Sequence, residues 1–357
     1  MWYKTKITEL LKIQYPILQG PMGGGLSSVK LLAAVSNAGG LGGYGAYTLE
    51  PDQLRTLIAD IKTATGKPYN INLWVSDVDE AAATYDAEAF ARTQQLFKPY
   101  FDELGIPLPE QRPHTASRFE QQAEVLLAAG IPVFSFVFGI PSSDILNEFR
   151  KRGTVLVGAA TTLDEALALE TAGVDAVVAS GFEAGGHRPS FLAPAEDSLT
   201  GTFTLVQQLA HKIKIPIIAA GGIADSRGVA AALILGADAA QLGTAFLATE
   251  ESGANDTHRT VLFSEASKYS VLTKVFTGRL GRGVRSRLSA EIPDHEKAIA
   301  PFPLQTQFLA PLRAAAIAQH KPELITFWGG QIAPVLKYRK TADLMKELVS
   351  NTGQYLK

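Results

Sequence analysis

Eight short apolar segments, each followed by a helical pattern, constrain the fold of this chain more than any other feature. Continuous apolar strands that alternate with helices are typical of parallel βα units, because such strands are buried on both faces. A count of eight favours a closed barrel over an open doubly wound sheet. We therefore predict an α/β fold, a (β/α)8 TIM barrel, whose strands are Pro16–Gln19, Leu41–Gly45, Tyr69–Val75, Pro132–Val137, Thr154–Val157, Asp175–Ala179, Pro216–Ala220 and Ala239–Leu242.

The regular alternation ends near residue 250. We predict that residues 1–250 form the barrel and that residues 251–357 form a helical C-terminal extension, partly packed on the barrel and partly covering its mouth. Helical patterns lie at about 257–268, 305–319 and 341–350. Residues 77–116 are a longer polar insertion within the barrel. At the helix after the fifth strand, Thr162 with Glu165 three residues later predicts a capping box.

Composition excludes several classes of function. The chain has 357 residues, a net charge of -2 and no cysteine, which excludes disulfides, thiolate metal sites and a cysteine nucleophile. The charge predicts no nucleic-acid partner, and no apolar run predicts a membrane span or a signal peptide. A cytoplasmic location is the resulting expectation. No metal is predicted, since Asp294-His295-Glu296 lacks the spacing of a zinc-binding helix.

The ends of the predicted strands carry unusual residues. In a barrel of this kind, functional sites form at the carboxyl ends of the strands. Glycine permits close backbone approach to a ligand there. The strand-end segments are Gly20-Pro21-Met22-Gly23-Gly24, Asn72, Ser180 to Arg188, Gly221-Gly222-Ile223 and Gln241-Leu242-Gly243-Thr244.

Two of these segments predict a phosphate site. Loops after the seventh and eighth strands commonly bind phosphate in barrels, because backbone N–H groups and a helix dipole converge there. Gly221-Gly222 and Gly243-Thr244 occupy those positions, although Gly-Gly also makes a simple tight turn. The run Gly40–Gly45 matches a dinucleotide-binding pattern, but a helix precedes it and none follows directly. We interpret it as a glycine-rich second strand close to the ligand.

His187 is the candidate catalytic residue. It follows Gly185-Gly186 just past a buried strand, where an imidazole is well placed to act as acid or base near neutral pH. The alternative is an ordinary polar group in a surface loop. Glu183 is expected to bind loop N–H groups. Arg188 is left open between orienting the loop and attracting an anionic substrate.

Four arginines form the only local basic cluster of the sequence. A solvated or carboxylate-paired face is the favoured interpretation, and recognition of a phosphorylated substrate or carrier is the alternative. The cluster consists of Arg279, Arg282, Arg285 and Arg287.

These segments together resemble the nitronate monooxygenases, formerly called 2-nitropropane dioxygenases. The resemblance rests on Pro16–Gly24, Asn72, the run from Gly181 to Arg188, Ala219–Ile223 and Gln241–Thr244, and it extends more weakly through residues 277–279 and 328–331. It implies an FMN-dependent enzyme with His187 as the catalytic histidine. The implied cofactor-binding residues are Pro21, Met22, Gly23, Asn72, Ser180, Gly185, Gly186, Gly221, Gly222, Gln241, Gly243 and Thr244.

The resemblance also implies a reaction. His187 would deprotonate a neutral nitroalkane or position an anionic nitronate, which then gives an electron to the flavin. O2 would complete the conversion to a carbonyl compound and nitrite. Ser180 departs from the glutamine common in the family, and Pro189-Ser190 replaces a common glycine. Both departures flank the site and bear on substrate identity.

Two alternatives remain from the sequence. The flavin-dependent enoyl-acyl-carrier-protein reductases share the glycine-histidine element, use NAD(P)H and bind an acidic carrier that would suit the basic cluster. A phosphate-binding barrel without redox function, such as an isomerase, would share only the phosphate site. The expected partners are a small nitronate and O2, and the sequence leaves a homo-oligomer open.

Overall fold

The fold is a barrel of eight parallel strands surrounded by helices. The computed structural model describes residues 1–113, 115–293 and 297–356, so Asp294-His295-Glu296 lies outside the described residues. The barrel strands are β1 (Ile17–Gln19), β2 (Gly42–Gly45), β3 (Tyr69–Trp74), β4 (Val133–Val137), β5 (Val155–Ala160), β6 (Ala176–Ser180), β8 (Ile217–Ala220) and β9 (Ala239–Leu242), with the short β7 (Gly186–His187) lying outside the barrel between β6 and β8 in the chain.

Hydrogen bonds between the first and second strands close the barrel. The strand order is β1-β9-β8-β6-β5-β4-β3-β2. Across the remaining gap, Leu41 N–H donates to Ile17 O at 3.0 Å, and Gln19 N–H donates to Leu41 O at 2.9 Å. The predicted TIM barrel is therefore confirmed. In β2, a Cβ on Gly45 would lie 2.6 Å from the backbone N of Gly23, so the glycines of this strand serve close packing of the backbone.

Helices follow most barrel strands, and many begin at a side chain that accepts a backbone N–H group, which satisfies an otherwise free donor of the first turn. Among the described residues, none of the helices is both long and apolar enough to cross a membrane. The helices are α1 (Lys6–Leu11), α2 (Val29–Asn37), α3 (Pro51–Ala64), α4 (Ala87–Leu104), α5 (Phe119–Ala129), α6 (Ser143–Lys151), α7 (Leu163–Thr171), α8 (Thr202–Lys212), α9 (Ser226–Ile234), α10 (Thr244–Leu247), α11 (Asp256–Leu262), α12 (Arg287–Glu291), α13 (Leu304–Ala318) and α14 (Thr341–Asn351).

The capping box predicted at α7 is only half formed. The Thr162 hydroxyl accepts the Glu165 N–H group, as predicted. The buried Glu165 carboxylate, however, accepts hydrogen bonds from Thr161 and from the backbone N–H groups of Phe191 and Leu192. Tertiary contacts to the loop that follows His187 compete for this carboxylate, so the reciprocal cap does not form.

The C-terminal region is helical, as predicted, but it also contains an antiparallel sheet that the sequence analysis missed. Its strands are β10 (Ser270–Thr273), β11 (Gly281–Val284) and β12 (Phe327–Trp328). Strand β11 also pairs with β7, so that Gly281 lies opposite His187. Strands of two to four residues with glycine and arginine carry too little apolar alternation to be recognised.

A second hydrophobic cluster joins the polar insertion to the C-terminal region. Buried Phe97 and Phe101 of α4 pack around Phe308 of α13, with ring centroids 5.7 Å and 5.5 Å from it. The division at residue 250 stays a prediction. The insertion and the C-terminal helices nevertheless share one apolar core, and that core borders the barrel mouth.

Candidate active site

One cavity of about 680 Å³ lies at the carboxyl ends of the strands and is lined by every residue predicted for the site. A pocket of this size is in the range that binds cofactors and drug-sized ligands. Its lining includes His187 together with Pro21, Met22, Gly23, Asn72, Ser180, Gly185, Gly186, Gly221, Gly222, Gln241, Gly243 and Thr244.

Gly221, Gly222, Gly243 and Thr244 form what we call the glycine cradle. The backbone N–H groups of Gly222 and Gly243 donate to no described residue. Gly222 has φ of 71°, which favours glycine, and a Cβ on Gly243 would meet no atom within 4 Å. The cradle therefore presents free donors beside open space, which suits an anionic ligand.

Two carboxylates cap the N-terminus of α9, the helix that follows β8. At its N-terminus, the Asp225 carboxylate accepts the Gly228 N–H group at 3.0 Å. The Glu347 carboxylate, from α14, accepts both the N–H and the hydroxyl of Ser226. The positive end of the α9 dipole therefore already faces two carboxylates. The short helix α10 begins at Thr244, directly after Gly243, and no side chain caps its N-terminus, so its first N–H groups lie at the cradle. The phosphate site stays a prediction.

A third glycine segment, Trp328–Gln331, closes over the cradle. Gly330 N–H donates to the Thr244 hydroxyl at 2.9 Å, and Gln331 N–H donates to Glu183 O at 3.0 Å. A Cβ on Gly185 would lie 2.5 Å from the Gly330 N atom. This segment brings the C-terminal region into direct contact with the loops after β6 and β9. In the sequence it appeared only as the weak end of the family resemblance.

His187 lies in an aromatic enclosure that we call the histidine pocket, made of Trp74, Phe138, Phe302, Trp328 and Thr277. The ring centroids of Trp328 and Trp74 are 5.0 Å and 5.1 Å from that of the half-buried imidazole. Nε2 of His187 lies 2.9 Å from the Thr277 hydroxyl oxygen. Burial, and secondarily the positive charge of Arg279, lower the pKa of His187 to about 3, so the imidazole is neutral at ordinary pH.

Arg279 supports one wall of this pocket. Its guanidinium donates to the Asp79 carboxylate at 2.7 Å and lies 4.3 Å and 4.5 Å from the ring centroids of Phe138 and Phe302. Phe138 has φ of 61°, a left-handed conformation that is strained for an aromatic residue. The ion pair and the cation–π contacts hold this wall in place.

The arginines from 279 to 287 do not form one basic surface. Arg287 is ion-paired with Glu103 and Glu291, at 2.7 Å and 2.9 Å. Arg282 is only 3% exposed and donates to Phe182 O at 2.9 Å. With Arg279 bound to Asp79, the carboxylate-paired interpretation holds for Arg279 and Arg287, whereas Arg282 is an internal residue.

The structure also resolves the roles of two charged residues in the motif loop. As predicted, the Glu183 carboxylate accepts the N–H group of Thr202 at 2.9 Å and its hydroxyl at 3.0 Å. Arg188 is only 2% exposed, and its guanidinium donates to the carbonyl groups of Ser180, Gly181 and Ser198. Arg188 therefore orients the loop and is not available to an anionic substrate.

Several cavity residues escaped the sequence analysis. Tyr47 and Phe138 follow β2 and β4, and Trp74 is the last residue of β3, so the strand-end rule would have found them had aromatic residues been counted. Burial raises the pKa of Tyr47 to about 12, which keeps its phenol protonated. Arg313 of α13 also lines the cavity, and no described carboxylate pairs with it. No sequence signal marked Arg313.

The described residues contain no group of three or more His, Cys, Asp or Glu side chains arranged to hold a metal ion. The cavity instead combines backbone N–H donors, amide side chains and the neutral imidazole of His187 within aromatic walls. This arrangement can hold an anionic, partly aromatic cofactor beside a proton acceptor.

Known proteins match this chain along its whole length. A family model described as nitronate monooxygenase matches residues 4–351. A "probable nitronate monooxygenase" of Staphylococcus aureus (strain Newman) is 36% identical over 357 residues, covering 100% of this chain and 99% of the relative. Among solved structures, nitroalkane oxidase from Streptomyces ansochromogenes has a TM-score of 0.89 and 33% identity, with 98% of each chain covered. FabK from Thermotoga maritima has a TM-score of 0.73 and 26% identity, covering 99% of this chain and 97% of its own. The chain belongs to the nitronate monooxygenase family and is a flavin-dependent oxidoreductase of that type.

Proposed function

We propose that this enzyme binds FMN and oxidises alkyl nitronates, and neutral nitroalkanes as well, with O2 to a carbonyl compound and nitrite. The observation that carries the proposal is that one cavity contains both free backbone N–H donors, at Gly222 and Gly243, and the neutral imidazole of His187. The first suits a phosphate group, and the second suits proton transfer. Family membership supports the same chemistry.

The donor set fits FMN. Gly222, Gly243 and Thr244 would bind the phosphate, and Met22, Asn72 and Gln241 would contact the flavin ring. Asn72 already donates to Ser135 at 3.0 Å through Nδ2, which leaves its carbonyl oxygen for the cofactor. The bound flavin supplies the electron acceptor of the redox step. Ser180 lines the same cavity in place of the glutamine common in relatives.

The chain's own residues bind and orient the substrate. The aromatic walls of the histidine pocket exclude water from the reacting carbon, and the neutral His187 either accepts a proton from a nitroalkane or positions a nitronate. Arg313 is a cation without a described carboxylate partner, and its charge, like that of Arg279, offsets a small part of the burial that raises the pKa of Tyr47. It would attract an anionic nitronate. The cytoplasm as location and a homo-oligomeric assembly stay predictions.

The carrier-protein reductase alternative loses its main support. Its best argument was a basic surface for an acidic carrier, but Arg279 and Arg287 are paired with carboxylates and Arg282 is buried. The greater similarity to the nitroalkane oxidase than to FabK points the same way.

Anaerobic reduction of the purified protein tests the proposal directly. An alkyl nitronate is added to one sample and NADPH or NADH to another, and the visible flavin spectrum is followed. We expect rapid reduction by the nitronate alone, and nitrite formation when O2 is admitted. Reduction by a nicotinamide alone would replace the proposal with the reductase. A colourless protein that takes up no FMN would refute both.

A further inference from the structure

We infer that Thr277 is a positioning residue that fixes the tautomer of His187, so that Nε2 carries the hydrogen and Nδ1 is the proton acceptor. Thr277 lies in the segment between β10 and β11, 90 residues beyond His187 in sequence. It lines the same cavity, and in the sequence it appeared only within residues 277–279, a weaker part of the family resemblance.

The hydrogen bonds of the Thr277 hydroxyl assign the tautomer. Its oxygen lies 2.9 Å from Nε2 of His187, donates to Arg279 O at 3.1 Å and accepts the Arg279 N–H group at 3.3 Å. A hydroxyl has one hydrogen and two lone pairs. Because the hydrogen goes to Arg279 O, the oxygen can only accept from His187, and Nε2 must therefore be protonated.

The opposite tautomer would leave a polar group unsatisfied. If the Thr277 hydrogen turned to Nε2, Arg279 O would lose the one hydrogen bond that the described residues give it. The backbone cannot adjust easily, because Arg188 N–H donates to Leu280 O at 2.9 Å and Gly281 pairs with His187. The geometry of the small sheet therefore favours a single tautomer.

This inference rests on the proposed function where it concerns catalysis. It decides between the two roles left open for His187. With Nε2–H engaged by Thr277, a neutral His187 offers only the Nδ1 lone pair, which suits removal of a proton from a neutral nitroalkane. In that step the C–H bond breaks, an Nδ1–H bond forms, and the electron pair of the C–H bond stays on the substrate as the nitronate. The imidazolium retains its hydrogen bond to Thr277.

The tautomer can be measured without any assay of activity. The holoenzyme is prepared with 15N-labelled histidine, and long-range 1H–15N spectra distinguish protonated from unprotonated ring nitrogens. The six histidines make the spectrum tractable, and His187→Asn identifies the signals of His187. We expect a protonated Nε2 and an unprotonated Nδ1 in the wild type. The reverse pattern would overturn the inference, even if the enzyme oxidises nitronates as proposed.

Two variants test whether Thr277 causes this pattern. Thr277→Val removes the hydroxyl at nearly constant volume and should produce a mixture of tautomers. Turnover of neutral nitroalkane should fall about 10- to 100-fold, the range seen when the hydrogen-bond partner that orients a metal-ligating histidine is removed. KM should change little. Thr277→Ser should restore both the spectrum and the turnover.

Thr273→Val is the matched control, because Thr273 is a buried residue of β10 whose hydroxyl, among the described residues, accepts only the Val275 N–H group. It should leave the His187 spectrum unchanged. An unchanged tautomer and turnover in a folded Thr277→Val protein would refute the role of Thr277, and so would a Thr273→Val spectrum altered to the same extent.

Discussion

The glycine cradle and the histidine pocket lie in one cavity but are built in opposite ways. The cradle consists of backbone N–H groups in two short loops, each directly after a barrel strand. The histidine pocket consists of side chains that come from β3, from the loop after β4 and from the C-terminal region. The cradle depends on local backbone conformation, whereas the pocket depends on contacts between distant parts of the chain. Substitutions should therefore affect the two regions differently.

The largest expected effect separates catalysis from cofactor binding. His187→Asn removes the proton acceptor without touching the glycine cradle. Turnover of neutral nitroalkane should fall about 10²- to 10⁴-fold, the usual contribution of a general base. Turnover of preformed nitronate should fall less, and the visible flavin spectrum should be retained. Steady-state kinetics with both substrates checks this.

His211→Asn serves as the control for that variant, because His211 is exposed at the end of α8. It should behave as the wild type with both substrates. Wild-type activity of His187→Asn on neutral nitroalkane would refute the assignment of His187 as the base.

The histidine pocket should also make stability depend on pH, which a cradle of backbone groups cannot do. Burial in the folded protein lowers the pKa of His187 from its ordinary value of 6.5 to about 3. Between these values the unfolded state binds the additional proton, so the free energy of unfolding falls as the pH is lowered. Because one proton is involved, the free energy of unfolding should fall by at most about 1.4 kcal/mol for each pH unit.

Urea unfolding of the wild type and of His187→Asn over this pH range isolates the contribution. For each protein, the free energy of unfolding is plotted against pH, and the slopes of the two plots are compared. The comparison is needed because the lowered pKa of His258 also makes both proteins less stable as the pH falls. Equal slopes for the two proteins would show that the native imidazole titrates normally.

A smaller change in the cradle should weaken cofactor binding alone. Gly243→Ala adds a Cβ where the protein has no atom within 4 Å, so the fold should tolerate it. The methyl group would enter the space expected for the FMN phosphate. We expect FMN affinity to fall about tenfold, equivalent to about 1.4 kcal/mol, from fluorescence titration of the apoprotein.

Gly66→Ala is the control for Gly243→Ala. A Cβ on Gly66 also meets no atom within 4 Å, and the residue is exposed and does not line the cavity. Both variants should unfold within about 0.5 kcal/mol of the wild type. Unchanged FMN affinity in Gly243→Ala would show that the FMN phosphate does not bind at this loop.

The smallest expected effect concerns charge at the cavity. Arg313→Gln should raise KM for an anionic nitronate about two- to fivefold, as expected for an exposed charge interaction. KM for a neutral nitroalkane should not change, and added salt should reduce the effect. Lys346→Gln, on the exposed side of α14, is the control. An equal change with both substrates would show that Arg313 acts through packing.

The barrel and the positions of the cradle residues could be predicted from the amino-acid sequence. Parallel strands in a barrel end on the same side, so Gly222, Gly243, Asn72 and His187 could be placed in one site from strand positions alone. Glycine-rich loops and the apolar runs of the strands are patterns of neighbouring residues, so they can be recognised in a single sequence.

The surroundings of His187 could be identified only in the folded chain. Thr277 contacts it from 90 residues away, through a sheet whose strands are too short to leave a pattern. Arg313 reaches the cavity from a C-terminal helix that no motif connects to the site. Tertiary contacts also compete with local ones elsewhere in the chain. The Glu165 carboxylate binds the loop near Phe191 and does not complete the cap of its own helix, and the carboxylates of Asp225 and Glu347 both bind the N-terminus of α9. A side chain binds the best partner available in the folded chain, and that partner is rarely visible from its neighbours in sequence.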